Sequence, residues 1–191
     1  MSYRVLGYSY LWAPRDGLPR LTELPGFRAG PSADAALIAR LAGLSPEAAA
    51  ARLADAHLAY LAWLEEAPVA YGWVATRRHG IEELDIDYLL PDRRYALWDF
   101  STLPAWRGRG VYPRLLQAIL RREAPRADWF EISHELGNDA SRRGILRAGF
   151  HLSNQIVLTE EGQVRLAPTG DLGRAGESGM GQRIGMLPAA P

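Results

Sequence analysis

A mixed α/β fold of the α+β kind, with helices laid on a central sheet, is what three observations in this 191-residue chain predict. The aromatic and aliphatic run Tyr95 to Leu103 has the composition of a strand. It passes through the basic turn Arg107-Gly108-Arg109-Gly110 into a segment where Val111, Leu115 and Ile119, with Leu116 and Leu120, recur at helical spacing. Two apolar runs of strand length, His57 to Leu64 and Val69 to Thr76, flank Glu65-Glu66-Ala67-Pro68 as the arms of a hairpin flank its turn. After the basic turn, helix, strand, helix and strand alternate, which is the order of an α/β or α+β mixed sheet.

Taken in order, Tyr3 to Trp12 is aromatic and apolar and stops before Pro14, which predicts a first strand. Gly17 to Pro31, punctuated by prolines and glycines, reads as a loop able to cover a substrate. Asp34 is the N-cap of a helix through Leu41, and Ser45-Pro46-Glu47 supplies an N-cap, a first-turn proline and a favourable acid for a second helix to about Ala54. After the hairpin Gly80 marks a turn, and Glu82 to Leu90 reads as a further strand or the long arm of the preceding one. Pro91-Asp92 then turns the chain into the Tyr95 to Leu103 strand. Pro125 closes the helix that follows the basic turn; Trp129 to Ser133 reads as a short strand, Ser141 to Arg147 as a helix and His151 to Thr159 as the last strand. Residues 1–162 thus form one domain. In residues 163–191 the apolar period is lost among glycine, proline, arginine and small residues, so a flexible tail is expected, loosely attached from about residue 168.

Composition narrows the function. Lys plus Arg and Asp plus Glu both number 22, so no global field recruits nucleic acid or an anionic membrane, and basic residues gather locally around the turn instead. The absence of cysteine removes thiol nucleophiles, disulfides and thiolate metal sites together, and neither a signal peptide nor an 18-residue apolar run is present. The expectation is a cytoplasmic protein with no metal, no nucleic acid partner and no membrane partner, with homodimer formation left open.

The basic turn reads as an anion site. The first turn of a helix offers N-H groups without intrahelical partners at the positive end of the macrodipole, and Gly108 and Gly110 let the backbone approach while Arg107, Arg109 and Arg114 add charge. It is not a Walker loop, since no Gly-Lys-Ser/Thr closes it, and it lacks the Gly-x-Gly-x-x-Gly spacing of dinucleotide sites. An ordinary strand-to-helix turn with a solubilising basic edge is the alternative.

Arg107-Gly108-Arg109-Gly110, after Pro104 and before a Leu-Leu helix, resembles the acyl-CoA pyrophosphate loop of the GNAT (GCN5-related) N-acetyltransferases, whose pattern is Arg/Gln-x-x-Gly-x-Gly/Ala. Asn138-Asp139-Ala140-Ser141 with Gly149-Phe150 resembles the same family's next strand exit, where an Asn opens a helix that ends in Gly-Phe. The resemblance covers roughly residues 1–160. It implies a mainly antiparallel mixed sheet with splayed central strands, acetyl-CoA as cosubstrate, and direct attack by an amine in a ternary complex. The acceptor would be a small-molecule amine, a protein N-terminus or a lysine. It also implies that the peptide groups of Phe100 and Thr102, with Ser101 between them, meet pantetheine, that Arg107, Gly108, Arg109, Gly110, Val111 and Tyr112 meet the pyrophosphate, and that Asn138 and Ser141 meet the cosubstrate. Two positions depart from the pattern. Tyr112 stands where Gly or Ala is usual, and Ile145 stands where many members carry the tyrosine that protonates the leaving thiolate.

Acid and base candidates follow from the chemistry. An amine with a pKa near ~10.4 arrives protonated, so a base is needed, directly or through water. Asp99 interrupts an apolar strand beside the expected acyl position, where a carboxylate is costly unless paired or functional; an ion pair with Arg93, Arg94 or a loop arginine is the other reading. Glu131 and His134 are further base candidates, Ser141 a hydroxyl facing the thiolate, and Tyr95 and Tyr112 candidate acids. The alternative to an enzyme is a non-catalytic acyl-CoA-binding regulatory domain that keeps the loop and lacks the acid at Ile145.

Overall fold

Side-chain caps set the starts of α1, α2 and α4, as the sequence reading expects for the first two. Asp34 Oδ1 accepts from the Leu37 N-H at 2.9 Å and opens α1 (Ala35–Ala42). Ser45 Oγ accepts from Ala48 N-H at 3.1 Å and opens α2 (Pro46–Ala54), and Asn138 Oδ1 accepts from Ser141 N-H at 3.0 Å at the start of α4 (Asp139–Ala148). Each satisfies one of the four orphan donors of a helix start. The computed structural model describes residues 2–81, 84, 86–169 and 172–188. Its other elements are β1 (Tyr3–Trp12), β2 (Phe27–Ser32), β3 (His57–Leu64), β4 (Ala67–Ala75), β5 (Arg78–Ile81), β6 (Ile86–Leu89), β7 (Arg94–Thr102), α3 (Val111–Glu123), β8 (Trp129–Glu135), β9 (His151–Thr159), β10 (Val164–Pro168), α5 (Leu172–Ala175) and α6 (Gly179–Ile184).

Eight strands form one sheet in the order β10-β9-β1-β8-β7-β4-β3-β2, and β5 with β6 makes a separate hairpin. All neighbours in the large sheet are antiparallel except β7 and β8, which the α3 crossover joins in parallel. α3 lies on one face, burying Val111, Leu115, Leu116, Ile119 and Leu120 against Tyr10, Trp12, Tyr60, Phe130 and Ile132. At about 1.5–3 kcal/mol for each fully buried aliphatic side chain, that stripe contributes on the order of 10 kcal/mol before entropy is subtracted. On the opposite face α1 and α2 cover Leu61 and Trp73, while β6 and the C-terminal segment cover Ala96, Ile156 and Leu166.

Several expectations change. Phe27–Ser32, read as loop, is an edge strand paired with β3 from Phe27↔Leu64 to Ser32↔Ala59; an edge strand tolerates Pro31 because its outer side has no partner to lose. The hairpin turn is Glu65-Glu66 alone, since Ala67 and Pro68 already pair in β4. Gly80 lies inside β5 rather than in a turn, and of the predicted Glu82 to Leu90 strand only Ile86–Leu89 is a strand, with Glu82, Glu83 and Asp85 outside the described residues. β9 is not the last strand. β10 adds to its outer edge, and from the segment expected to be a loose tail Met180, Gly181 and Ser178 are buried. The anchors are polar: the Arg174 guanidinium meets both carboxylate oxygens of Asp16 at 2.6 Å, and the Gly179 N-H donates to Glu131 Oε2 at 2.9 Å.

Candidate active site

β7 and β8 stay in register only from Arg94↔Trp129 to Leu97↔Ile132. Beyond that point each strand keeps its other neighbour: β8 remains paired to β1 as far as Gly7↔Glu135, and β7 to β4 as far as Ala70↔Thr102. The two therefore part, and the gap opens into a cleft of about 1260 Å³ that runs from the N-terminal turn of α3 to the β5-β6 hairpin. A bulge in β7 widens it. Trp98 and Ser101 pair with Trp73 and Tyr71, so Asp99 and Phe100 together oppose Gly72, and Asp99 takes φ 49°. A Cβ at Gly72 would overlap the Phe100 ring, which is why a glycine sits in the middle of this strand.

At the α3 end the turn has the form of an anion cradle. Gly110 is the N-cap with φ 74° and ψ 25°, a left-handed conformation suited to glycine, and no side chain caps the first N-H groups of α3. Nothing lies within 4 Å of where a Cβ on Gly108 would stand, so that side of the turn is open. Arg107 lines the cleft, with Nε donating to Thr102 O at 3.0 Å. Two arginines are used otherwise. Arg109 stacks on Trp106 at 4.7 Å, outside the cleft wall, and Arg114 donates to Gly110 O at 2.6 Å and to Thr22 O, pinning the loop before β2 to α3.

The second predicted motif meets the first across the cleft. Asn138 and Ser141 line it together with Val111 and Tyr112, and the Tyr112 hydroxyl is 3.4 Å from Ser141 Oγ. Tyr112, the departure from the family pattern, is accommodated because α4 presents Gly144 beneath its ring, and the ring also meets Phe100 with centroids 5.6 Å apart. Burial pushes the Tyr112 phenol up to about 12, so it carries its proton at neutral pH. Ile145 is fully buried in the core under α4.

The base candidates separate. Asp99 lines the cleft, but both oxygens are engaged, Oδ2 by Arg52 of α2 at 2.6 Å and Oδ1 by the Tyr71 hydroxyl at 3.1 Å. Arg52, rather than Arg93 or Arg94, is the partner, and it stacks on Trp98 at 4.5 Å and Trp73 at 5.2 Å. His134 lines the cleft on the α3 face, where its Nδ1 meets Glu135 O at 2.7 Å and its Nε2 the Tyr10 hydroxyl at 2.9 Å. The carbonyl fixes the proton on Nδ1 and leaves Nε2 to accept from Tyr10. Glu131 does not reach the cleft. It faces a separate cavity of about 10 Å³ and accepts from Tyr88 OH at 2.5 Å, Ser178 Oγ at 3.3 Å and Gly179 N-H. Tyr95 packs on Phe130 in the core.

Sequence reasoning did not find the residues at the hairpin end. His57 accepts from Trp98 Nε1 at 3.2 Å, and burial lowers its pKa. His79 packs against Tyr88 and Trp98, each 5.7 Å away between centroids, and burial lowers it to about 4, so both imidazoles are neutral at pH 7. No local pattern marks them, because strands distant in sequence bring them together. Among the described residues no cluster of His, Asp and Glu could hold a metal ion, and no helix is long and apolar enough to cross a membrane.

No family model matches the sequence, and no curated protein matches it significantly. Solved structures do match. A GNAT-family acetyltransferase from Colwellia psychrerythraea superposes with a TM-score of 0.57 at 16% identity over 82% of this chain and 56% of its own. A GCN5-related N-acetyltransferase from Sphaerobacter thermophilus gives 0.54 at 19% identity over 82% of this chain and 51% of its own. Ribosomal-protein-S5-alanine acetyltransferase from Vibrio fischeri gives 0.51 at 12% identity over 69% of this chain and 82% of its own. The chain thus spans little more than half the length of the first two. With the parted parallel strands, the bulge and the uncapped helix turn in the places where the two sequence motifs meet, this chain has the fold of the GNAT acetyltransferases.

Proposed function

We propose that this protein is an acetyl-CoA-dependent N-acetyltransferase in which an amine attacks the thioester directly within a ternary complex. The observation that carries this is the cleft itself: two strands parted in one sheet, ending at a helix start whose N-H groups no side chain caps. Its volume of about 1260 Å³ exceeds the roughly 300–1,000 Å³ of an ordinary ligand site and has room for two substrates. The α3 turn, with Gly108, Gly110 and Arg107, binds the pyrophosphate through backbone donors and the helix dipole. The exposed edge of β7 at Phe100, Ser101 and Thr102 pairs with pantetheine, and a backbone N-H there holds the oxyanion that develops on the thioester carbonyl. Tyr112, protonated and beside Ser141, is placed to return a proton to the departing thiolate, the task that Ile145 cannot perform. With no cysteine in the chain, a cysteinyl acyl-enzyme does not arise.

The burial of Ile145 where a tyrosine would be expected favours a second reading, a non-catalytic acyl-CoA-binding domain. The experiment has two arms. Gly110→Asp places a side chain and a like charge at the cradle, and should weaken CoA about tenfold or more by calorimetry, the loss of one charge-assisted contact of roughly 1.5–3 kcal/mol. Release of free CoA from acetyl-CoA across a panel of amines separates the enzyme from the binder; CoA binding without turnover on any amine selects the second reading.

A further inference from the structure

The cleft and the small cavity behind it share four lining residues, His79, Leu97, Ile132 and Ser133, of which His79 alone titrates. The small cavity is lined otherwise by Ser9, Tyr88, Glu131, Ala96 and Met180 and measures about 10 Å³, the size that admits a single water molecule among polar partners. His79 is 6% exposed, and its Nδ1 is out of solvent contact with no hydrogen-bond partner among the described residues. An imidazole can take a proton on one nitrogen and release one from the other, and a buried ring nitrogen without a partner is costly unless something transient uses it.

We infer that His79 is the proton acceptor for the incoming amine and that Glu131, across the one-water cavity, is its positioning partner. The inference rests on the acetyl-transfer reading above. An N-H bond of the ammonium breaks, its electron pair stays on nitrogen for attack on the thioester carbon, and the proton forms a bond to the imidazole. The second ring nitrogen passes a proton through the cavity to the Glu131 carboxylate, and after product leaves the proton returns to solvent by the same route. Burial depresses the His79 imidazole, with His57 adding to the effect and Asp87 opposing it, so the ring stays unprotonated at neutral pH and holds the proton only in passing, while burial raises the Glu131 carboxyl against the hydrogen bonds from Tyr88, Ser178, Gly179 and Met180, which favours the onward step. Asp99, held by Arg52 and Tyr71, then serves to fix the bulge and the aromatic wall around Trp98.

The test uses the full chain with His79→Gln and Glu131→Gln, the second keeping one oxygen acceptor, for Tyr88 or for Gly179 with Ser178, both checked for folding by thermal melting. On an amine the wild type acetylates, His79→Gln is expected to lower kcat about 100-fold with KM for acetyl-CoA unchanged, and Glu131→Gln about tenfold. Both losses should shrink as pH rises and the amine arrives neutral. Turnover within twofold of wild type in His79→Gln, or a loss constant with pH, overturns the inference. If the wild type binds CoA and acetylates no amine, the transfer reading has failed, and the 15N shifts of the neutral His79 ring at pH 7 decide the remaining link. A change of tautomer in Glu131→Gln supports the pair, and an unchanged tautomer overturns it.

Discussion

Tyr112 shows how one side chain can look like a defect in a motif and be accommodated by the fold. A bulky residue in the first turn of α3 removes room from the phosphate turn, yet its ring is laid between Phe100 and Gly144, and its hydroxyl comes out beside Ser141, one turn from where Ile145 is buried. Tyr112→Phe keeps the ring contacts and removes only the hydroxyl and its 3.4 Å contact, so the melting temperature and CoA affinity should stay close to wild type. Turnover should fall about 10²-fold, with kcat rather than KM carrying the loss, as expected of a proton donor used at the leaving step. Steady-state kinetics checks this, and an unchanged kcat would hand the proton to solvent. Gly144 and Gly72 were visible in the sequence as glycines inside a helix and a strand. What each admits, a tyrosine ring in one case and a phenylalanine ring opposite a bulge in the other, depends on neighbours that no local pattern names.

At the scale of elements, what could be read in the sequence was whatever local chemistry decides. The caps at Asp34, Ser45 and Asn138, the period of α3 and the apolar runs of β1, β3 and β7 all came through because each is set within a few residues. β2 did not, because Gly30 and Pro31 look like loop residues and only the neighbouring β3 makes them a strand. The C-terminal segment was hidden for a different reason: its composition is poor in apolar anchors, and it is held by Asp16 and Glu131 from far upstream. Removal of residues 170–191 should therefore destabilise the protein. It exposes the surface that Met180 covers and strips Ser178 and Gly179 from the Glu131 carboxylate, a loss of roughly 3 kcal/mol. For a chain of this size that corresponds to a fall of about 6–12 °C in melting temperature. An unchanged melting temperature would return the segment to the loose tail its composition suggests.

For the whole molecule, the buried histidines set how stability answers to acid. The His79 pKa is about 4 in the folded protein against an ordinary value of 6.5, so between those values the unfolded chain takes a proton that the native one refuses. Stability is thus fully present above pH 6.5 and is lost as pH falls; from pH 7 to 5 the loss from this group is about 2 kcal/mol, with His57 adding in the same direction. Glu131, raised by burial, acts with the opposite sign, so the informative quantity is a difference. The fall in melting temperature between pH 7 and 5 should be smaller in His79→Gln than in wild type by about 4–8 °C, and equal falls would show that the ring is already charged or solvated at pH 5.

The parting of β7 from β8 also has a mechanical side. The sheet is in effect two plates, β10-β9-β1-β8 and β7-β4-β3-β2, joined along one edge by the short register from Arg94 to Leu97 and bridged by α3 on one face and by β6 with the C-terminal segment on the other. Near the seam ladder hydrogen bonds set the spacing, whereas at Ser101 and Ser133 none run between the two strands. A molecule lodged between the plates replaces the missing rungs of the ladder. Occupancy of the gap and cohesion of the sheet would then be one quantity, read as a rise in melting temperature with added CoA.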